Sequence, residues 1–484
     1  MIMIELKNIS VDIEGNKLFT IDRLIVNEGE RVFIIGDNGV GKSTLLNLIT
    51  GIIPTPKGGV LSNNFDFSYL KQNNYTEALD YNSDIDYRLL NELNVPKNKE
   101  GLSGGELKKL NITDSFSLYK ECLILDEPTT HLDKTSIDIL IEELKYYYGT
   151  ILCVSHSRDF INALATKIWE IEDGVIKEYI GNYNDYLEQK EVEKTSLENE
   201  QNAHNIKREA LLKSIEQQRK YAESLKQKKG KDTHNPGRLA QSKPKDVIAK
   251  NAFRKLKNLE GKLEKMGDIE KIEEKQEIKF PTTELTEIHN KIPIYSQSYT
   301  LIKGNKVLLE DTTFQFPYGK KIGIVGDNGT GKSSFLADIV SQNEQIEISS
   351  KLVINVYNQM DYEIKSDKNI FEYLQECSSY NDDFIKQILF NLRFSQDDFR
   401  KKISDLSGGE STRLKIAFTF LKTSNTIILD EPTNFLDLSV IKSLEELMKS
   451  YKGMIIYTSH DESFIKNTAN LVFKIEDKKL VEVV

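Results

Sequence analysis

The sequence predicts an α/β protein made of two tandem P-loop nucleotide-binding domains joined by a long α-helical hairpin linker. Three observations predict this. One set of motifs occurs twice in the same order, each copy contains short continuously apolar runs, and the 45 residues from 183 to 227 hold neither glycine nor proline. The first copy reads Gly36-Asp37-Asn38-Gly39-Val40-Gly41-Lys42-Ser43, then Leu102-Ser103-Gly104-Gly105-Glu106, then Asp126-Glu127-Pro128, then Ser155-His156. The second reads Gly326-Asp327-Asn328-Gly329-Thr330-Gly331-Lys332-Ser333, Leu406-Ser407-Gly408-Gly409-Glu410, Asp430-Glu431-Pro432 and Ser459-His460. Lys42 and Lys332 are 290 residues apart, whereas Ser103 and Ser407, Asp126 and Asp430, and His156 and His460 are each 304 apart. Four ordered elements repeated at nearly constant offset mean a duplicated domain.

Residues 1–184 form the first domain in this reading. Runs 31–35, 122–125 and 150–154 are apolar throughout, as strands covered on both faces of a parallel sheet are. The second domain, 280–484, repeats them at 321–325, 426–429 and 454–458. Residues 185–279 form the linker. Good helix formers from 183 to 227 make a helix of roughly 68 Å, at about 1.5 Å per residue. Gly230, Pro236, Gly237 and Pro244 then interrupt the pattern, so the tip is expected at about 229–247. A second helix is expected from near Asp246 to at least Met266, with Leu256, Leu259, Leu263 and Met266 on one face and Gly261 inside it. Leu211, Ile215, Ala222 and Leu225 supply the matching seam, which implies an antiparallel hairpin.

The formal net charge of −10 is unevenly spread. Residues 201–265 hold 18 Lys and Arg against 7 Asp and Glu, a net of +11, which leaves −21 on the rest. A polyanion is therefore expected to be repelled by the two domains and drawn to the linker. A charged spacer would not need that excess. No run of about eighteen apolar residues occurs, so nothing is expected to span a bilayer and no membrane partner is expected. Residues 1–7 lack the pattern of a secretory signal, and the expected compartment is cytoplasmic. Cys122, Cys153 and Cys377 have no metal spacing and read as packing residues. His131, His204, His234 and His289 have no companion at ligand spacing and read as surface, seam or interface residues.

The repeated motifs carry phosphate chemistry. Glycines at 36, 39 and 41, and at 326, 329 and 331, let backbone N–H groups turn inward and cradle phosphate oxygens at a helix N-terminus. Lys42 and Lys332 would neutralise the β- and γ-phosphates of ATP, and Ser43 and Ser333, followed by Thr44 and Ser334, would ligate Mg²⁺ or line the phosphates. Asp126 and Asp430 end apolar strands, where a carboxylate can hold Mg²⁺ through water. Glu127 and Glu431 follow directly, placed to orient or activate the attacking water. His156 and His460 each close a strand one residue after a serine, as a γ-phosphate sensor would. Catalysis of this kind is mostly positioning and charge stabilisation.

The set resembles the ABC ATPases, and the resemblance adds three expectations. Gln72 and Gln359 stand at the Q-loop, between P-loop and signature, as further Mg²⁺ ligands. ABC domains pair head to tail, which implies composite sites: Lys42 with Ser407, Gly408 and Gly409, and Lys332 with Ser103, Gly104 and Gly105. Both retain the glutamate and histidine, so both are expected to hydrolyse ATP. ABC domains also commonly stack adenine on an aromatic residue upstream of the P-loop. The matching places here are Ile13 and Ile302, which implies looser base selectivity and a possible use of GTP.

Two domains fused through a helical hairpin, Leu-Ser-Gly-Gly-Glu in both copies, and Gly181-Asn182-Tyr183-Asn184-Asp185-Tyr186 leading into the linker resemble the ABC-F family over essentially the whole chain. The resemblance implies a protein that acts on the bacterial ribosome, its linker entering the tRNA exit site and contacting ribosomal RNA, the large subunit and exit-site tRNA. It also implies a monomer whose two domains pair within one chain. Gln72 to Ser103 spans 31 residues and Gln359 to Ser407 spans 48, so the first domain lacks the arm of housekeeping ABC-F factors. That resembles the antibiotic-resistance branch, the Vga-, Lsa- and Msr-like ribosomal protection proteins, and implies protection against pleuromutilins, lincosamides and streptogramin A. Two alternatives stay open: a translation factor for stalled ribosomes without a resistance role, and the ATPase subunit of a drug exporter. Drug susceptibility separates the first alternative, and fractionation with ribosomes or membranes the second.

Overall fold

The structure is a computed structural model that describes residues 1–13, 16–63, 65–72, 85–95, 104–117, 119–227, 245–267, 278–281, 290–358, 364 and 366–483. The chain separates into two compact units, one of residues 1–186 with 277–484 and one of residues 187–276.

In the first unit all six apolar runs are strands. Arg31–Gly36 lies between Thr150–Val154 and Lys167–Glu172, with Cys122–Asp126 and then Phe67–Leu70 beyond, and all five run parallel. In the second half Lys321–Val325 lies between Met454–Thr458 and Leu471–Glu476, again with the strand that precedes Asp430, Thr426–Leu429, one place out. Their side chains are buried to the last residue in Cys122–Asp126 and Met454–Thr458, as a sheet covered on both faces requires. Each half adds antiparallel strands made of half-exposed, alternating residues: Ile2–Ile13 with Asn16–Asn27, and Ile294–Lys303 with Lys306–Phe316. The P-loops leave the carboxyl ends of central strands, which is where open α/β sheets place ligands.

The two halves face each other within this unit. Arg158 of the first donates to Glu445 of the second at 2.6 Å, and Asn467 donates to both oxygens of the same carboxylate at 3.2 Å. The pair is largely buried, with side chains 11% and 7% exposed. Ser463 donates to Asp159 at 2.7 Å beside it, and Lys134 pairs with Glu462. Breaking a buried pair strands its partner, so Arg158→Ala is expected to cost roughly 3 kcal/mol. A lowered melting temperature checks this, and an unchanged one contradicts it.

The second unit contains most of helix Tyr183–Gln227 and all of Lys245–Met266. Ile215, Ala222, Ala252 and Leu256 are buried in the seam, with Leu211, Leu259, Leu263 and Met266 half-buried. Gln218 donates to the Ala252 carbonyl at 3.2 Å, and His204 lies 3.2 Å from the Met266 carbonyl, so the helices run antiparallel. The side chain of Leu225 and residues 228–244, which hold most of the expected tip and His234, lie outside the described residues, as does His289.

Candidate functional site

A single cleft of about 1600 Å³ gathers most of the motif residues from both halves. Its first-half lining includes Asn38, Gly39, Gly41, Lys42, Ser43, Thr44, Gln72, Gly105, Asp126, Glu127 and His156. Its second-half lining includes Asn328, Gly329, Gly331, Lys332, Ser333, Ser334, Ser407, Gly408, Gly409, Glu431 and His460. Gly36, Asp37, Val40, Gly104, Gly326, Asp327, Thr330 and Asp430 are not among the residues that line the cleft. Ser103 and Gln359 lie outside the described residues.

The glycine before each lysine has a local reason. Gly41 and Gly331 cap helices Lys42–Ile49 and Lys332–Val340 at φ 99° and 104°, a left-handed conformation that side chains resist. A Cβ at Gly41 would meet Phe19 at 2.9 Å, and one at Gly331 would meet Leu301 at 3.1 Å. The turn folds each lysine back over its own loop. Lys42 Nζ donates to the carbonyls of Gly36 and Asp37 at 2.7 and 2.9 Å, and Lys332 Nζ to those of Gly326 and Asp327 at 2.8 and 3.2 Å. Burial pulls both ammonium groups below their usual range, while the nearby carboxylates oppose it.

Each carboxylate pair sits at the foot of its lysine. Ser333 donates to Asp430 Oδ1 at 3.1 Å, Thr458 donates to the same oxygen at 2.7 Å, and Ser43 bonds to Asp126. Glu127 and Glu431 have φ of 50° and 48°, a strained backbone of the kind found at functional sites. Burial raises their carboxyls to about 8 and about 7, with Lys42 and Lys332 pulling the other way. His156 Nε2 is 3.4 Å from Glu127 Oε1, and His460 Nε2 is 3.2 Å from Glu431 Oε1. Burial, then the adjacent lysine, lowers these imidazoles to about 3 and about 4, so both are neutral near pH 7. One oxygen of Asp126 and both of Glu431 are buried without a hydrogen-bond partner, an arrangement that a bound cation or water would satisfy.

The halves contact each other through this site. Asn38 Nδ2 donates to the Phe435 carbonyl at 3.0 Å and Asn328 Nδ2 to the His131 carbonyl at 3.2 Å. Ser439 donates to Asp37 at 2.7 Å and Thr135 to Asp327 at 2.9 Å. The rings of His131 and Phe435 meet edge to face, with centroids 5.5 Å apart. A Cβ on Gly409 would lie 3.4 Å from Asn38 Nδ2, so the second signature stands against the first P-loop.

The places that match the family's adenine-stacking aromatic are Ile13 and Ile302, neither of them aromatic. Ile302 is 60% exposed and does not line the cleft, and the side chain of Ile13 lies outside the described residues. Leu18 and Leu308 line the cleft instead, each against the capping glycine. Lys303 and Lys306 join them on the second half, where Lys303 donates to Ser334 at 3.1 Å. The hairpin register that pairs Lys303 with Lys306 decides which residues face inward.

A family profile described as ABC transporter matches residues 20–88 and 309–434, and a second with the same description matches 169–234. The chain is 36% identical to the erythromycin resistance ATP-binding protein MsrA of Staphylococcus epidermidis, covering 96% of this chain and 95% of that one. It is 29% identical to the ribosome protection protein VmlR of Bacillus subtilis, covering 97% and 86%. It is 28% identical to the ATP-binding protein Uup of Escherichia coli, covering 92% and 76%. Among solved structures it matches an RNase-L inhibitor at TM-score 0.62 and 18% identity, over 94% of this chain and 85% of that one. No helix among the described residues is long and apolar enough to cross a membrane. The duplicated fold, the cleft shared by both motif sets and the near full-length match to MsrA together mean that the chain belongs to the ABC-F family of ATPases, on its Msr- and VmlR-like antibiotic-resistance branch.

Proposed function

We propose that this protein hydrolyses ATP at two composite sites and uses the cycle to protect bacterial ribosomes from drugs of the peptidyl-transferase centre. The observation that carries the catalytic part is the reciprocal contact of each P-loop asparagine with the other half, Asn38 with Phe435 and Asn328 with His131. Such contacts let triphosphate binding in one half report on closure against the other. Lys42 and Lys332 bind the β- and γ-phosphates. Glu127 and Glu431 orient and deprotonate the attacking water, and neutral His156 and His460 hold the γ-phosphate end. Ser103 with its two glycines, and Ser407 with Gly408 and Gly409, close on the triphosphate of the opposite half. Mg²⁺ fits the hard oxygen donors at Ser43, Asp126 and Gln72, and at Ser333, Asp430 and Gln359. When bound, it neutralises phosphate charge.

The ribosomal part rests on the likeness to VmlR, a ribosome protection protein, and on the +11 charge of residues 201–265. Phosphate contacts from such a segment give affinity for RNA without sequence preference. In this reading residues 185–279 enter the tRNA exit site as the probe, between large-subunit RNA and exit-site tRNA. The protein is a cytoplasmic monomer, with residues 1–184 and 280–484 as its ATPase domains. The drugs countered are pleuromutilins, lincosamides and streptogramin A. The likeness to MsrA, an erythromycin resistance protein, favours a second reading, in which erythromycin is countered.

Co-sedimentation with ribosomes in the presence of ATP tests the assignment. The protein is expected in the ribosomal pellet, and recovery with membranes would favour the exporter reading.

Base selectivity is expected to be loose. Base–aromatic stacking contributes about 1–3 kcal/mol, which the aliphatic walls Leu18 and Leu308 do not supply, so ATP and GTP turnover should differ by well under about a hundredfold. Steady-state rates with both nucleotides check this. A preference for ATP as large as a hundredfold would contradict it.

A further inference from the structure

The second half carries two cations at the rim of the cleft. Lys303 and Lys306 flank the turn between strands Ile294–Lys303 and Lys306–Phe316, and both line the cleft. They stand directly opposite each other in the register. Like charges so placed in an antiparallel pair repel, and the pairing is disfavoured until an anion lies between them. Lys303 Nζ donates to Ser334 Oγ at 3.1 Å. Ser334 lies in the first turn of helix Lys332–Val340, beside the phosphate lysine. Its hydroxyl is neutral, so this bond does not balance the ammonium charge.

The same residues fix the position along a nucleotide. Lys332 and Glu431 mark the γ-phosphate end of the second site. Leu308, on the hairpin of the two lysines, supplies an apolar wall beside Gly331 that a base can cover. Lys303 reaches from that hairpin to the first turn of the P-loop helix, so its ammonium stands between the base and the β-phosphate. That is the place of the α-phosphate. The first half is built differently. At the 290-residue spacing of Lys42 and Lys332, which also matches Leu18 to Leu308, the places of Lys303 and Lys306 are held by Ile13 and Asn16. These two are likewise opposite each other in their hairpin, and neither carries a charge.

We propose that Lys303 and Lys306 clamp the α-phosphate of the nucleotide in the second site. The contact is common to nucleoside triphosphate and diphosphate, so it survives loss of the γ-phosphate and slows release of the diphosphate product. The first site lacks the clamp, and the two sites therefore differ in how long they hold ADP. This rests on the nucleotide-site reading above. Lysines that merely keep the rim solvated, or that stack on the base, predict different losses.

The test is isothermal titration calorimetry of the full-length chain with ADP and with AMPPNP, both with Mg²⁺. Lys42→Ala removes the phosphate lysine of the first site and isolates the second, and Lys332→Ala isolates the first. In the Lys42→Ala chain, Lys303→Ile with Lys306→Asn should weaken ADP on the order of tenfold, about the effect of one charged hydrogen bond. AMPPNP should lose the same factor, because both ligands carry the α-phosphate. Lys303→Arg with Lys306→Arg should keep most of the affinity. The loss should shrink to about twofold in roughly 1 M salt, since exposed charges are screened there. In the Lys332→Ala chain the Ile and Asn exchange should leave ADP affinity within about twofold, as expected of independent sites. Adenosine, which has no phosphate, should compete equally with and without the exchange. No loss for ADP, a loss confined to AMPPNP, an equal loss at the first site, a salt-independent loss or a loss for adenosine would each overturn the proposal. If the Lys42→Ala chain with both lysines intact binds neither nucleotide, the nucleotide-site reading falls, and the proposal with it.

Discussion

The double variant Glu127→Gln/Glu431→Gln should bind ATP, close and not turn over. Glutamine keeps the shape and can still hydrogen-bond, but it cannot accept a proton from the attacking water. General-base contributions are on the order of 10²–10⁴, so kcat should fall by at least about a hundredfold. Affinity should hold or rise, because burial already makes each carboxylate costly to ionise and the amide removes that charge. The phosphate lysines and the contacts of Asn38 and Asn328 with the opposite half remain, so the protein should accumulate on ribosomes in its closed form. Either single variant should leave the other site working. Steady-state phosphate release, together with ribosome pelleting, reads both effects. Unchanged turnover in the double variant would remove these two glutamates from the mechanism.

Deleting residues 229–247 should separate hydrolysis from protection. The segment contains Lys231, Arg238, Lys243 and Lys245 together with Gly230, Pro236 and Gly237, cations suited to RNA phosphates beside residues suited to a turn. The described part of helix Tyr183–Gln227 is 45 residues long, about 68 Å at 1.5 Å per residue, which sets the tip far along the chain from the motifs. Basal ATP turnover should therefore stay within about twofold of the intact protein, as expected for distant independent sites. Protection in a sensitive host should fall to the level of an empty vector. Full resistance from the deleted protein would rule out the tip as the effector.

How legible these features were follows from their physics. Strands such as Cys122–Asp126 are buried on both faces, so the sequence has to be apolar at every position, and the run is visible without a structure. The hairpin Ile294–Lys303 with Lys306–Phe316 is half exposed, and its inward residues depend on a register that no local pattern declares. Leu18 and Leu308, which line the cleft beside the capping glycines, sit on such hairpins and belong to no motif. Arg158 and Glu445 are 287 residues apart, and their pairing depends on how the halves face each other.

The most direct test of the central claim is drug susceptibility in a sensitive bacterial host. Cells would express the intact protein, the Glu127→Gln/Glu431→Gln variant or the tip deletion, and be challenged with a pleuromutilin, a lincosamide, streptogramin A and erythromycin. The account predicts that the intact protein raises the inhibitory concentration of at least one of these drugs and that neither variant does. No increase from the intact protein, at an expression level confirmed by its presence on ribosomes, would contradict ribosome protection and leave a translation factor without a resistance role.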